Sequence, residues 1–244
     1  MAMRATHAPF QPTRWTLIAE ANGPDKGAAR AALEKLCAVY WYPLYACLRR
    51  RGRGPEDAED AVQGFFVRLI ERDYFAAAAK ERGRLRTFLL HQMDCWLADE
   101  SRRRTAAKRG GGQSPVRLDD AEARYAAEPF TEETPETLYH RRWALTLLAQ
   151  ALSDVEQKCQ AAGDTAAFAL LKPALTEPTA TALDTAEVAE SLDIPRDQVR
   201  VRVHRLRGQF REALMARIAA TLHTSRREEL EEELHALLAA LRSR

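Results

Sequence analysis

The densest grouping of chemistry-bearing side chains lies in Asp184–Arg207, DTAEVAESLDIPRDQVRVRVHRLR. Asp184 with Glu187 three residues on has capping-box spacing, which starts a helix by giving its free N–H groups carboxylate partners. Val188, Ala189 and Leu192 form the apolar side of that helix, and Ala189 is small enough to let a second helix cross closely. Asp193-Ile194-Pro195 reads as a turn with Ile194 as its apolar plug. The helix that follows places Val199, Val203, Leu206 and Phe210 on one stripe, at i, i+4, i+7 and i+11. Its start and its opposite side then present Arg196, Asp197, Arg200, Val201, His204 and Arg205. Such a helix, about 10–12 Å wide, fits a DNA major groove, where Arg pairs with guanine edges and other Arg with phosphates. A helical hairpin with a merely solvated Arg face has the same outline. The Ala-x-x-x-Asp-Ile-Pro turn and the unbroken apolar stripe favour a helix-turn-helix.

A second basic surface belongs to Leu85–Arg104. Leu85, Leu89, Met93, Trp96 and Leu97 form its apolar stripe, and another face carries Phe88, Gln92, Cys95, Asp99, Arg102 and Arg103. The formal charge of the whole chain is only +2, but it is unevenly spread. Residues 84–109 hold seven basic and three acidic side chains, residues 196–217 seven and two, and residues 118–138 one and seven. Two basic blocks flanking an acidic stretch point to a polyanion met at two places. Arg outnumbers Lys 31 to 6 and Ala is abundant, the mark of a GC-rich coding sequence, so Arg content alone carries little weight.

Other chemistries fall away. Asp57, Asp60 and Asp99 have no partnered His or Lys, no nucleophile motif occurs, and Gly110–Gly112 follows no strand, so neither catalysis nor a nucleotide loop is expected. His91 and Cys95 are four residues apart without a second pair nearby, so no metal and no cofactor is expected. Cys37, Cys47, Cys95 and Cys159 show no CxxC spacing, as in a reduced cytoplasmic chain. The longest apolar run, Cys37–Leu48, contains Pro43 and falls short of the roughly 20 residues a membrane span needs. The first fifteen residues are polar and hold Pro9 and Pro12, unlike a secretory signal.

The positioning elements all read as helices: an all-α chain of two small domains joined by an acidic linker, with a helical tail. Residues 1–27 are an N-terminal extension with a short helix over Thr13–Ala21. Residues 28–104 form the first domain, opened by a helix over Ala28–Arg51. There Leu33, Leu36, Val39 and Tyr40 share a stripe and Pro43 is expected to kink or break the helix. Tyr40, Trp41, Tyr42 and Tyr45 are expected to pack inside. Pro55–Arg72 buries Ala58, Ala61, Val62, Phe65, Phe66, Leu69 and Ile70 opposite Asp57, Glu59, Asp60, Gln63 and Arg68. Residues 105–133 read as linker, either a solvated spacer or an acidic mask over a DNA-binding face. Residues 134–215 form the second domain, with Thr134 capping a helix that buries Leu145, Leu148, Leu152 and Val155. In the tail, residues 216–244, Leu230, Leu234, Leu237 or Leu238, and Leu241 lie opposite Glu229, Glu232 and Glu233.

Three runs resemble one family. Asp57-Ala58-Glu59-Asp60-Ala61-Val62-Gln63-Gly64-Phe65-Phe66 resembles a D-A-E-D-x-x-Q-x-x-F run, and Leu85–Leu89 through Asp99–Arg102 a promoter-capturing segment. Val199–Arg207 is similar to V-K-S-R-L-H-R-A-R. In this order, separated by a polar linker, they resemble the extracytoplasmic-function (ECF) sigma factors, small initiation subunits of bacterial RNA polymerase. Thr13-Arg14-Trp15 and the Gly-rich Lys108–Gln113 resemble a subgroup of that family. The resemblance covers residues 28–104 as region 2 and 135–215 as region 4. It implies that region 4 reads the −35 element as duplex through Arg196, Arg200, Val201, His204, Arg205 and Arg207. Arg200 and His204 would meet bases, and Arg205 and Arg207 phosphate. It implies that region 2 captures the melted −10 strand with Phe88, Gln92, Cys95, Asp99, Arg102 and Arg103. Cys95 departs from the family, which often has Asn there. Asp57, Asp60, Gln63 and Arg68 would bind core polymerase. The implied partners are core RNA polymerase, through its β′ coiled coil and β flap, promoter DNA, and an anti-sigma factor or other regulator. Two other readings stay open: a stand-alone helix-turn-helix regulator and a sigma-derived protein-binding adaptor.

Overall fold

The computed structural model describes residues 25–71, 84–106, 121–128, 132–176, 183–222 and 226–242. The expected helix over Thr13–Ala21, the Gly-rich run at Lys108–Gln113, and Asp119 and Asp120 lie outside them. Among the described residues there are ten helices and no strand. They are α1 (Lys26–Arg50), α2 (Pro55–Glu71), α3 (Leu85–Ala106), α4 (Ala121–Ala126), α5 (Pro135–Ala161), α6 (Thr165–Leu171), α7 (Pro173–Thr176), α8 (Thr185–Ser191), α9 (Arg196–Thr221) and α10 (Arg227–Arg242). None of them is long and apolar enough to cross a membrane. Two compact units result, one of residues up to 145 with those from 219 onward, the other of residues 146–218.

In the first unit α1 packs on α2 and α4, and α2 packs on α3. The stripes expected on α2 and α3 are the buried ones: Ala58, Val62, Phe65, Phe66 and Leu69, then Leu85, Leu89 and Met93. Helix α1 runs unbroken through Pro43, contrary to the expected kink or break. Residues 39–48 are all buried, so tertiary packing outweighs the backbone hydrogen bond that Pro removes. Trp41 stacks on Tyr45 with ring centroids 5.3 Å apart, as interior packing requires. Leu138, Tyr139 and Trp143 from the start of α5 and Leu237 of α10 complete this interior.

Part of the acidic stretch is built into this unit. Glu122 on α4 accepts from the Tyr45 hydroxyl at 2.6 Å and from Arg49 at 2.8 and 2.9 Å. The Arg49 hydrogen bond lowers the Glu122 carboxyl below its ordinary range, while burial and then Glu122 raise the Tyr45 phenol. Glu128 accepts from the Tyr42 hydroxyl at 2.5 Å and pairs with Arg142. Arg124 lies 3.6 Å over the Tyr42 ring. Within this unit these carboxylates sit on partners from α1 and α5. Glu122 and Glu128 each gain phenol and guanidinium donors, Glu122 while its side chain stays 42% exposed.

In the second unit the interior is Leu147, Ala151 and Val155 of α5, Ala167, Phe168 and Leu171 of α6, Val188 and Ala189 of α8, and Val199, Leu206, Ala213, Leu214 and Ile218 of α9. On α5 the buried line therefore runs through Ala144, Leu147, Ala151 and Val155. The expected line of Leu145, Leu148 and Leu152 lies one position round the helix and is only half-buried. The two alanines explain the shift, since a helix approaches its neighbours most closely along its smallest side chains. Arg217 holds Asp154 with two nitrogens, tying α9 back to α5.

Three helices end on the same device. At the end of α1, Arg53 N–H donates to the Leu48 carbonyl (3.2 Å) and Gly52 N–H to Arg49 (3.0 Å); at the end of α5, Asp164 donates to Cys159 (2.9 Å) and Gly163 to Gln160 (3.0 Å). Gly52 and Gly163 take φ of 85° and 80°, the left-handed turn this motif needs and that a side chain resists. At the end of α8, Ile194 donates to Ala189 (3.0 Å) and Asp193 to Glu190 (3.2 Å), with Asp193 itself at φ 52°. A non-glycine residue thus carries the turn that aims α9, and Pro195 forbids α8 from continuing.

Candidate nucleic-acid interface

The α9 face starts from its entry. Asp184 Oδ1 accepts from Ala186 N–H at 2.8 Å and Glu187 N–H at 3.3 Å, so the Asp184 half of the expected capping box forms and fixes the start of α8. The tight turn at Asp193 then sets α9 with Val199 fully buried and Leu206 5% exposed, while Val203 and Phe210 are half-buried. Arg196, Arg200, His204 and Arg205 are all exposed, as is Val201 at 56%. No ion pair holds these four cationic candidates among the described residues. A row of free guanidiniums around one exposed apolar side chain can pair with base edges and phosphates and rest a methyl surface on thymine. Arg207 differs from its neighbours: Nε and a terminal nitrogen donate to the Ala174 carbonyl at 3.3 and 3.1 Å, bracing the end of α7.

The α3 face is less free. Phe88, Gln92 and Asp99 are half-buried, Cys95 and Arg102 exposed, and the side chain of Arg103 lies outside the described residues. Arg102 lies 3.9 Å from Asp99, and Cys95 Sγ is 3.7 Å from His91 Nε2. Among the described residues no group of three or more metal-ligating side chains occurs, so that pair stands alone. Trp96, half-buried, rests its ring against Gly64 of α2 and faces Phe65 at 6.3 Å between centroids. Its ring joins α3 to α2.

On α2, Asp57 and Asp60 are exposed, whereas Gln63 is 7% exposed and donates to Glu59 at 3.1 Å. Arg68 is half-buried with two guanidinium nitrogens enclosed and without a hydrogen-bond partner. Donors left in that condition cost free energy until an acceptor reaches them.

One cluster escaped the sequence reading. Glu233 of α10, expected on a solvated face, is 1% exposed and shares a buried line with Leu237 and Ala240. Its carboxylate accepts from Arg86 at 2.7 and 3.1 Å and from Arg84 at 2.8 Å. Arg86 in turn lies 4.7 Å over the Trp143 ring and 2.9 Å from His140 Nδ1, and its carbonyl accepts from the Tyr139 hydroxyl at 2.9 Å. Burial, reinforced by Arg86, holds the His140 imidazole down at about 4, so it is neutral near pH 7. A buried Glu needs such partners. The 233, 237, 240 spacing was the only trace of this line in the sequence, and nothing in it pointed to Arg86.

No curated protein and no solved structure matches the chain. A family model described as ECF sigma factor matches residues 48–227, which takes in α2, α3 and the whole Asp184–Arg207 segment. With an all-helical fold and three motif runs in the family's order, this chain is a member of the ECF sigma factor family, helical DNA-binding proteins of transcription initiation.

Proposed function

We propose that the chain joins core RNA polymerase in the cytoplasm and directs it to promoters, α9 reading the −35 element as duplex and α3 capturing the −10 strand after melting. It does so without chemistry of its own. The observation that carries this reading is the free, exposed row Arg196, Arg200, Val201, His204 and Arg205 on a helix whose opposite side is anchored by Val199 and Leu206. Arg200 and His204 meet base edges, Arg205 meets phosphate, and Val201 meets a thymine methyl. Arg207 keeps α7 in place behind them, and takes phosphate only by giving up Ala174.

On α3, single-strand capture uses Phe88 as a stacking surface, Gln92, Cys95 and Asp99 toward base edges, and Arg102 and Arg103 along the backbone, the combination that unpaired bases require. Core polymerase binds at α2 through Asp57 and Asp60, with Gln63 holding the helix surface. Arg68 offers the enclosed donors that an acidic polymerase side chain satisfies. The β flap docks on the second unit.

Purified protein with core polymerase, on a library of random promoters, tests the reading. The expected result is initiation from templates that share two spaced elements, and none from core enzyme alone. Tight duplex binding as a dimer without polymerase would instead mark a stand-alone regulator. Binding to polymerase with no promoter-dependent transcript would mark an adaptor.

A further inference from the structure

We propose that Arg84 and Arg86 form a phosphate-binding site at the head of α3, filled in the free chain by the Glu233 carboxylate of α10. The tail helix and single-stranded DNA then compete for the same two guanidiniums. The proposal rests on α3 being the strand-capturing helix, and adds to that reading a site and its control.

The geometry is that of oxyanion recognition. Both oxygens of Glu233 are engaged: Arg86 brings Nε to 2.7 Å and a terminal nitrogen to 3.1 Å, the forked pairing that guanidinium also makes with phosphate. Arg84 adds Nε at 2.8 Å to one of the same oxygens, and the neighbouring Glu232 lies 3.8 Å from Arg84. Three N–H donors thus converge on one anionic group. The fork does not depend on Glu233 for its orientation. Arg86 is stacked on Trp143, sits against His140 Nδ1, and has its backbone carbonyl tied to Tyr139. When α10 leaves, the Arg86 donors stay aimed and lose only their anion.

The occupant is suited to exchange. Five of the six residues 228–233 are Glu, so α10 brings to the head of α3 a run of negative charge of the kind a nucleic-acid backbone brings. The family match covers residues 48–227, so α10 past its first residue lies outside it. A carboxylate carries one negative charge and two oxygens. The phosphates of a strand already held by Arg102 further along α3 outcompete it by being tethered alongside.

Hydrogen exchange of the α10 amides in the full chain, read beside the affinity for a short labelled single-stranded DNA across a salt series, tests the competition. In the unaltered protein, saturating single-stranded DNA should speed α10 exchange. Glu233→Gln should speed it without DNA and tighten strand binding several-fold with little change of salt slope, because the bound strand makes the same two phosphate contacts in both proteins. Adding Arg84→Ala to Glu233→Gln should flatten the salt slope by about 0.7, one phosphate contact. Glu232→Gln, at an exposed residue, should change little. Faster α10 exchange with wild-type affinity would overturn the proposal, as would α10 protection unchanged by DNA in the unaltered chain. The latter reading needs no variant to fold. Strand binding that Arg102→Ala weakens but Glu233→Gln leaves alone removes the proposal only. Absence of strand binding in every protein removes the strand-capture reading with it.

Discussion

The α3 helix carries four arginines and α9 seven, and the two helices use them differently. On α9, Arg196, Arg200, His204 and Arg205 are exposed and without ion-pair partners among the described residues. At the head of α3, Arg84 and Arg86 are spent on Glu233, and further along Arg102 has Asp99 beside it. The α9 cations are open to solvent, whereas those at the head of α3 are paired with the chain's own carboxylates. A duplex offers its groove at all times and suits a standing surface. A melted strand exists only after opening, and on the proposed reading a site that stays filled until then avoids holding the wrong polyanion.

The comparison breaks most forcefully through the interiors. Trp143→Ala removes a fully buried ring and the platform under Arg86, and should cost about 3–5 kcal/mol of stability in denaturant titration. Leu206→Ala, beneath the α9 face, should cost about 2–5 kcal/mol and weaken duplex binding while leaving the Glu233 pairing intact.

Acid separates the two regions next. His140 stays neutral in the folded chain down to about 4, whereas the unfolded chain takes up its proton near the ordinary 6.5. The depressed imidazole therefore contributes stability that is full above 6.5 and is lost as pH falls from there toward 4. The loss is roughly 2 kcal/mol after discounting for partial exposure. Thermal melts across that window should show the decline, and His140→Gln should flatten it.

Smaller effects sharpen the α9 side. Asp184→Ala removes the α8 cap and should cost about 1 kcal/mol. Asp193→Gly relieves a side chain held at positive φ and should be neutral or stabilising by under about 1 kcal/mol, whereas a β-branched residue there should destabilise. Both are read as shifts in Tm.

The helix-turn-helix was legible because every part of it is local. A cap, a turn and a stripe fall within the single segment Asp184–Arg207, and each constrains the next. The α3 stripe was legible for the same reason, with Leu85, Leu89 and Met93 all fully buried. On α5 the larger leucines drew the expected line away from Ala144 and Ala151, where close approach decides burial. Pro43 signals a break only where packing does not override it. Glu233 reads as solvated on any local scale, because burying a carboxylate is costly until partners are known, and its partners lie 147 residues away for Arg86. Glu122 and Glu128 pair with Arg49 and Arg142 for the same long-range reason. Long-range charge pairing has no period, so spacing does not reveal it.

The division of labour between the two faces is tested most directly by transcription with core polymerase from one promoter library, comparing the unaltered chain with Arg200→Ala and Arg102→Ala. Arg200→Ala should relax preference at one −35 position by about 1–3 kcal/mol and leave −10 preference as it was, while Arg102→Ala should weaken opening without touching −35 preference. An unchanged −35 preference in Arg200→Ala would contradict the assignment of α9 to the duplex.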